Sequence, residues 1–190
     1  VPHKQGVPGF TVWDLGSSDR TSIWFVQKIG KEVRVIDFYE NNNEDLPHYA
    51  EVIRSKNYEY STHYMPHDSK HERLGMQGSI KAQFEAMGLK CSDIPMIGEM
   101  AGIALGRTLL GEVWIDSENC KDGLHALNHF QFEYNESTQS YKDKPRHDWA
   151  SHASDAWRYL AVVLDKLTSM DTEEVELDIQ VFTGGNSWAY

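Results

Sequence analysis

The sequence predicts a mixed α/β domain built on a central sheet, and three observations carry that reading. Residues 10–39 alternate and break like a three-stranded antiparallel meander. Helical periodicity then takes turns with short strand-like runs, and carboxylates stand at the ends of elements whose interiors are apolar. With 190 residues, 40% hydrophobic and 25% charged, the chain can bury a sizeable core as one compact domain. No apolar run approaches the roughly 20 residues of a membrane span, and no secretory leader is expected. The chain opens on Val1 without a methionine, so we expect a fragment of a longer protein.

In order, residues 10–15 read as a strand that ends on Asp14. Residues 21–29 (TSIWFVQKI) read as a second, dense in β-branched and aromatic residues. Gly30-Lys31 is a two-residue hairpin signal into a third strand over 32–39. A helix over about 46–57 follows, then a strand over 60–65 (YSTHYM) that stops at Pro66. Residues 76–88 carry Ile80, Phe84 and Met87 at helical spacing, with Gly88 as the stop. A short strand is expected over Ile94–Ile97, a helix over 99–110, a brief strand at 113–115 and a helix over 120–130. Residues 131–147 lack helical periodicity and read as a protruding hairpin or loop. The final helix starts near Ser151, with Ser151 or Asp148 as its cap. Its apolar stripe is Ala153, Ala156, Trp157, Leu160, Leu164 and Leu167. Residues 175–182 (VELDIQVF) alternate like a strand, and the segment 171–190 is expected to be peripheral.

This order is the layout of the ribonuclease H-like fold. Three antiparallel strands are followed by parallel strands, helices flank the mixed sheet, and strand one lies between strands two and four.

The net charge of −11 cuts against an ordinary nucleic-acid-binding domain, because counterion release favours basic surfaces. The acid is uneven, however. It gathers at Asp165, Asp171, Glu173, Glu174, Glu176 and Asp178, while Arg54, Lys56, Lys70, Arg73, Lys81 and Lys90 mark a more basic stretch. A local phosphate-binding face stays open, with weak binding overall. Cys91 and Cys120 are far apart and read as free, buried thiols in a reducing compartment.

Asp14 ends the first strand, Asp68 follows the fourth, and Asp155 lies near the start of the last helix. If strands one and four are neighbours, Asp14 and Asp68 reach the same sheet end and the last helix brings Asp155 over them. Taken alone, each acid reads as a strand-end or helix-start cap. Together they would repel one another unless cations neutralised them, and Mg²⁺ or Mn²⁺ prefers such oxygen ligands. Two ions in such a site can promote phosphodiester hydrolysis, Asp14 bridging both and Asp68 and Asp155 each holding one side.

The stretches WDLGSSDRTSIWFVQ, HYMPHDSKHERLG and RHDWASHASDAWRYLAV, in this order, carry a family resemblance. The chain resembles the C-terminal nuclease domain of the large terminase subunit of tailed bacteriophages, from Trp13 to Val162. The resemblance implies an endonuclease that cuts concatemeric double-stranded viral DNA during genome packaging, using two Mg²⁺ or Mn²⁺ ions held by Asp14, Asp68 and Asp155. It also implies that the family's ATPase motor domain is absent from residues 1–190, which form the nuclease domain alone. The implied partners are DNA, that motor, the portal protein and the small terminase subunit. The implied location is the host cytoplasm, transiently at the procapsid portal, with no membrane.

Asp19 could reach an ion through water, or be a turn residue before strand two. His67 and His152 flank two of the acids and could orient water or phosphate, or simply pack. Lys70, Arg73 and Arg158 are candidate DNA contacts, with surface solvation as the alternative. Arg158 could instead pair with an acid. Lys142, Lys144, Arg146 and His147 in the 131–147 loop could touch DNA or another part of the packaging machine. A zinc set of His63, His67 and His71 is poorly supported, since Pro66 interrupts any shared helix. Trp13, Trp24 and Trp157 read as core. Two other functions compete: a non-catalytic DNA-guiding or docking domain, and half of an actin-like or sugar-kinase-type ATPase, suggested by DLGSSDRT.

Overall fold

Adjacent residues of one strand face opposite sides of a sheet, so a strand buried throughout must be covered twice. Strand β1 (Gly9–Asp14) shows this: Val12 and Trp13 are both fully buried, in separate apolar clusters on either side. The structure, a computed structural model, describes residues 1–16, 19–70 and 78–183, without the side chains of Asp68, Lys70 and 171–183.

β1 pairs antiparallel with β2 (Arg20–Ile29), which pairs antiparallel with β3 (Glu32–Asn42). Gly30 turns the β2–β3 hairpin at a φ of 59°, a conformation that favours glycine. Helix α1 (Leu46–Ser55) follows, its first turn capped by the Asp45 carboxylate, which accepts from the His48 backbone N–H at 3.0 Å. β4 (Tyr60–Met65) then returns parallel to β1. Helix α2 (Ile80–Ala86) leads to β5 (Cys91–Asp93), and α3 (Glu99–Leu109) to β6 (Trp114–Ile115). The sheet order is β5-β4-β1-β2-β3-β6, so β1 lies between β2 and β4 as expected. After α4 (Lys121–His129), strands β7 (Phe132–Asn135) and β8 (Ser140–Pro145) form a separate hairpin before the long α5 (Ser151–Thr183). This is a ribonuclease H-like mixed sheet with helices on both faces.

One face packs Val12, Trp24, Val26 and Phe38 against Ala153, Trp157 and Leu160 of α5, while the other sets Trp13, Ile23 and Phe25 against α1 and α2. Two indoles fasten α5 by hydrogen bonds. Trp24 Nε1 donates to the Ala153 carbonyl at 3.0 Å, and Trp157 Nε1 donates to the Gly106 carbonyl at 2.9 Å. Residues Trp13, Trp24 and Trp157 are therefore core.

Two expected strands differ. Pairing with β4 occurs at Cys91–Asp93 rather than Ile94–Ile97. Pro95 has no N–H to give a ladder, whereas His63 N–H donates to the Lys90 carbonyl at 2.8 Å and Ile94 N–H to that of Met65 at 3.0 Å. The expected strand over 175–182 is helical, because α5 runs on to Thr183. A helix already nucleated and anchored extends at little cost, and local alternation does not outweigh that. The helix expected over 76–88 is α2, residues 71–77 lying outside the described residues. Both cysteines are free, but only Cys120 is buried; Cys91 is half-buried. Among the described residues no helix is long and apolar enough to cross a membrane.

Candidate active site

Because β1 and β4 are parallel, their C-terminal ends lie at the same end of the sheet. Asp14 closes β1 there, and Asp68 stands in the 3-10 helix His67–Lys70 just past β4; its side chain lies outside the described residues. Helix α5 begins at this end too. The Asp148 carboxylate accepts from the Ala150 N–H at 3.0 Å, and the Asp148 carbonyl accepts from the Ser151 N–H at 3.1 Å, which starts the helix.

That start sets His152 over the end of β1, where its Nδ1 is 3.3 Å from Asp14 Oδ2. Asp155 follows one turn later. Its carboxylate accepts from Arg158, Nη2 at 3.0 Å and Nε at 3.2 Å, and the guanidinium lies 4.4 Å from the Tyr159 ring centre. The Asp14 side chain is only 17% exposed, so its charge needs compensation. Burial pushes its carboxyl above the usual carboxylate range and the charge of Asp155 adds to this, while His152 and Arg158 oppose the rise. The hydrogen bond to Asp14 in turn raises the His152 imidazole against its own burial. A cavity of about 320 Å³ opens beside these groups, with Asp14, His67, Arg158 and Tyr159 in its wall and the apolar Met96 and Ile97 along it. A larger groove of about 1150 Å³ lies between the β2–β3 turn, α3 and α5, but it is mostly apolar and neither Asp14 nor Asp155 lines it.

The Asp14 carboxylate borders a space that water can fill, and it feels the charge of Asp155. That donor chemistry fits a hard divalent cation such as Mg²⁺ or Mn²⁺. The structure thus groups Asp14, His152, Asp155 and Arg158, with His67 in the cavity wall. It places Arg158 on Asp155 rather than in open solvent. Asp19 stands off this cavity, 3.8 Å from His147 Nε2. Arg73 lies outside the described residues, as does the side chain of Lys70. His63 turns inward, its Nδ1 2.7 Å from the Thr11 hydroxyl, which removes it from any zinc set with His67. In the β7–β8 hairpin, Lys142 pairs with Glu133 at 2.5 Å, and just after it Arg146 lies 3.4 Å from Asp148. Sequence reasoning missed Tyr159 and the Met96–Ile97 lip. Tyr159 directly follows Arg158 in the third quoted stretch, whereas nothing local marks the lip.

No protein-family model and no curated protein sequence matches the chain. Its fold, however, is similar to solved structures of large terminases. The large terminase of a thermophilic bacteriophage superposes with a TM-score of 0.66 at 15% identity, over 85% of this chain and 41% of that one. The nuclease domain of the P22 large terminase gives 0.64 at 14%, over 86% of both chains. The nuclease domain of the large terminase of bacteriophage SPP1, with bound Mn, gives 0.57 at 14%, over 82% of this chain and 85% of that one. The chain thus spans 41% of the length of the first of these terminases and most of the length of the two nuclease domains. The ribonuclease H-like fold of this chain is the fold of large-terminase nuclease domains.

Proposed function

We propose that the chain is a divalent-metal-dependent endonuclease that hydrolyses phosphodiester bonds of double-stranded viral DNA during genome packaging. The observation that carries this reading is the coupling of Asp14 with Asp155 and His152 beside a cavity, at the sheet end where Asp68 also arrives. The likeness to terminase nuclease domains, one of them with bound Mn, supports it. Asp14, reaching from the sheet centre, would bridge two Mg²⁺ or Mn²⁺ ions, with Asp68 and Asp155 holding one side each. Such ions, when bound, supply Lewis-acid charge on the phosphate and an activated water.

The chain's own residues have separable tasks. His152 orients the Asp14 carboxylate through Nδ1, and Arg158 does the same for Asp155. His67 stands in the cavity wall, where it can orient water or phosphate. Met96 and Ile97 give the cavity an apolar edge that limits bulk water. Residues 1–190 would be the nuclease domain of a longer chain, with 171–190 peripheral. Its partners would be DNA, an ATPase motor domain, the portal and the small terminase subunit, at the procapsid portal in the host cytoplasm.

Incubation with supercoiled plasmid tests the reading. Nicking with Mn²⁺ or Mg²⁺ that chelator abolishes is expected. A metal-loaded, folded chain that leaves the plasmid intact would favour a non-catalytic docking domain instead.

A further inference from the structure

We propose that Asp19, His147 and His152 form a second cation site, selective for a borderline transition-metal ion such as Zn²⁺ or Co²⁺. This site lies beside the carboxylates described above and goes beyond the nuclease reading. One ligand atom from each of the three residues lies within 4.8 Å of the other two. They come from separate parts of the chain: the loop after β1, the segment before α5, and the first turn of α5.

The hydrogen bonds fix which imidazole nitrogens are available. The Ser151 hydroxyl donates its single proton to the Asp148 carbonyl at 2.6 Å, so toward His147 Nδ1, 3.2 Å away, it can only accept. His147 therefore carries its proton on Nδ1 and its lone pair on Nε2. That Nε2 is the atom 3.8 Å from Asp19 Oδ2. At His152 the same division holds, because Nδ1 donates to Asp14 Oδ2 at 3.3 Å and Nε2 is left for a ligand. A ring that gives one N–H to a carboxylate or hydroxyl and the other nitrogen to a metal is the usual arrangement of ligating histidines.

Two imidazoles and one carboxylate suit Zn²⁺ or Co²⁺ better than Mg²⁺, which prefers oxygen throughout. Bonds of roughly 2.0–2.2 Å require the three ligand atoms to draw closer than 4.8 Å. Asp19 and His147 are the groups with room to turn, their side chains being 60% and 68% exposed. His152, 12% exposed and held by Asp14, is the fixed point. Three protein ligands leave the remaining position to water. An ion here would tie the loop after β1 to the start of α5.

The test is titration of the untagged chain with Co²⁺ alone, followed by visible absorption and thermal melting, for the parent, His147→Ala, Asp19→Asn and Asp155→Asn. The parent and Asp155→Asn are expected to show saturable Co²⁺ absorption and a raised melting temperature, displaced by Zn²⁺. His147→Ala and Asp19→Asn, both at exposed side chains, are expected to bind at least tenfold more weakly while melting like the parent in chelator. The proposal is overturned if His147→Ala binds as the parent does, if the signal disappears in Asp155→Asn, or if the parent shows no saturation below millimolar Co²⁺. Cleavage is not read, so the nuclease reading can fail while this site stands, and the reverse.

Discussion

A carboxylate almost out of water at the end of a central strand costs the fold free energy until a cation joins it. Asp14 is such a group, and its raised carboxyl means that the folded state holds the proton more tightly than the unfolded chain does. Its contribution to stability is therefore greatest in acid and is lost as pH rises through the folded value. Asp14→Asn, which keeps an acceptor for His152, is expected to melt roughly 2–4 °C higher than the parent at pH 8 in chelator, the shift that about 1 kcal/mol produces in a domain of this size. Unchanged or lower melting would show that Asp14 is already well compensated without metal. His63 behaves oppositely. Burial pushes its imidazole down to about 4, below the 6.5 of an unperturbed histidine, so the unfolded chain binds the extra proton first. Stability from this residue is complete above about pH 6.5 and falls away toward pH 4. Denaturant unfolding at pH 7.5 and 4.5 should show a loss of about 2–3 kcal/mol that His63→Gln largely abolishes. Asp14 and Asp155 were legible in the sequence because each breaks an apolar pattern. The pairing of His147 with Asp19 was not, since it arises only when the loop after β1 and the start of α5 meet.

Among the elements, the contact between α3 and α5 shapes the site most directly. A Cβ at Gly102 would come within 2.5 Å of Arg158 Cγ and 2.8 Å of its Cδ, so the bare glycine leaves room for the arginine to lie along α3 and reach Asp155. Gly102→Ala must push Arg158 aside. It is expected to cost about 1–3 kcal/mol and to slow cleavage, through a misplaced Asp155. Gly111→Ala, whose Cβ would meet the Thr108 carbonyl at 3.6 Å, is the control expected to change neither melting temperature nor rate. Equal behaviour of the two variants would mean that Arg158 does not hold Asp155. Elements with tertiary support written into their sequence were readable: the alternation of β1 to β3, the glycine turn at Gly30, and the stripe from Ala153 to Leu164 on α5. The strands expected at 94–97 and 175–182 were not, because apolar alternation says nothing about which backbone faces a free sheet edge. Pro95 was the signal available for the first; for the second, continuity with an anchored helix outweighed the pattern.

For the whole molecule, charge sets what kind of DNA contact is possible. A net charge of −11 leaves few phosphate partners, and two of the cations around the β7–β8 hairpin are occupied by acids of the same segment. Binding to a short duplex is expected to be weaker than roughly 1 µM at physiological salt and to fall steeply as salt rises. Fluorescence anisotropy across a salt series checks this, and nanomolar affinity at physiological salt would reveal a recognition surface that the charge distribution does not suggest. The element order made the architecture legible as a whole, since three strands followed by alternating helices and strands leave few right-handed arrangements. The site was legible only in outline, because a sequence names its acids but not the space between them. Whether the acid ending β1 holds a catalytic cation is decided by plasmid nicking with Asp14→Asn beside the parent, both in Mn²⁺ and both verified as folded. The parent is expected to nick, and Asp14→Asn to fall by at least about 100-fold, to the background seen in chelator. Cleavage by Asp14→Asn at the parental rate would contradict this and leave Asp14 a structural residue.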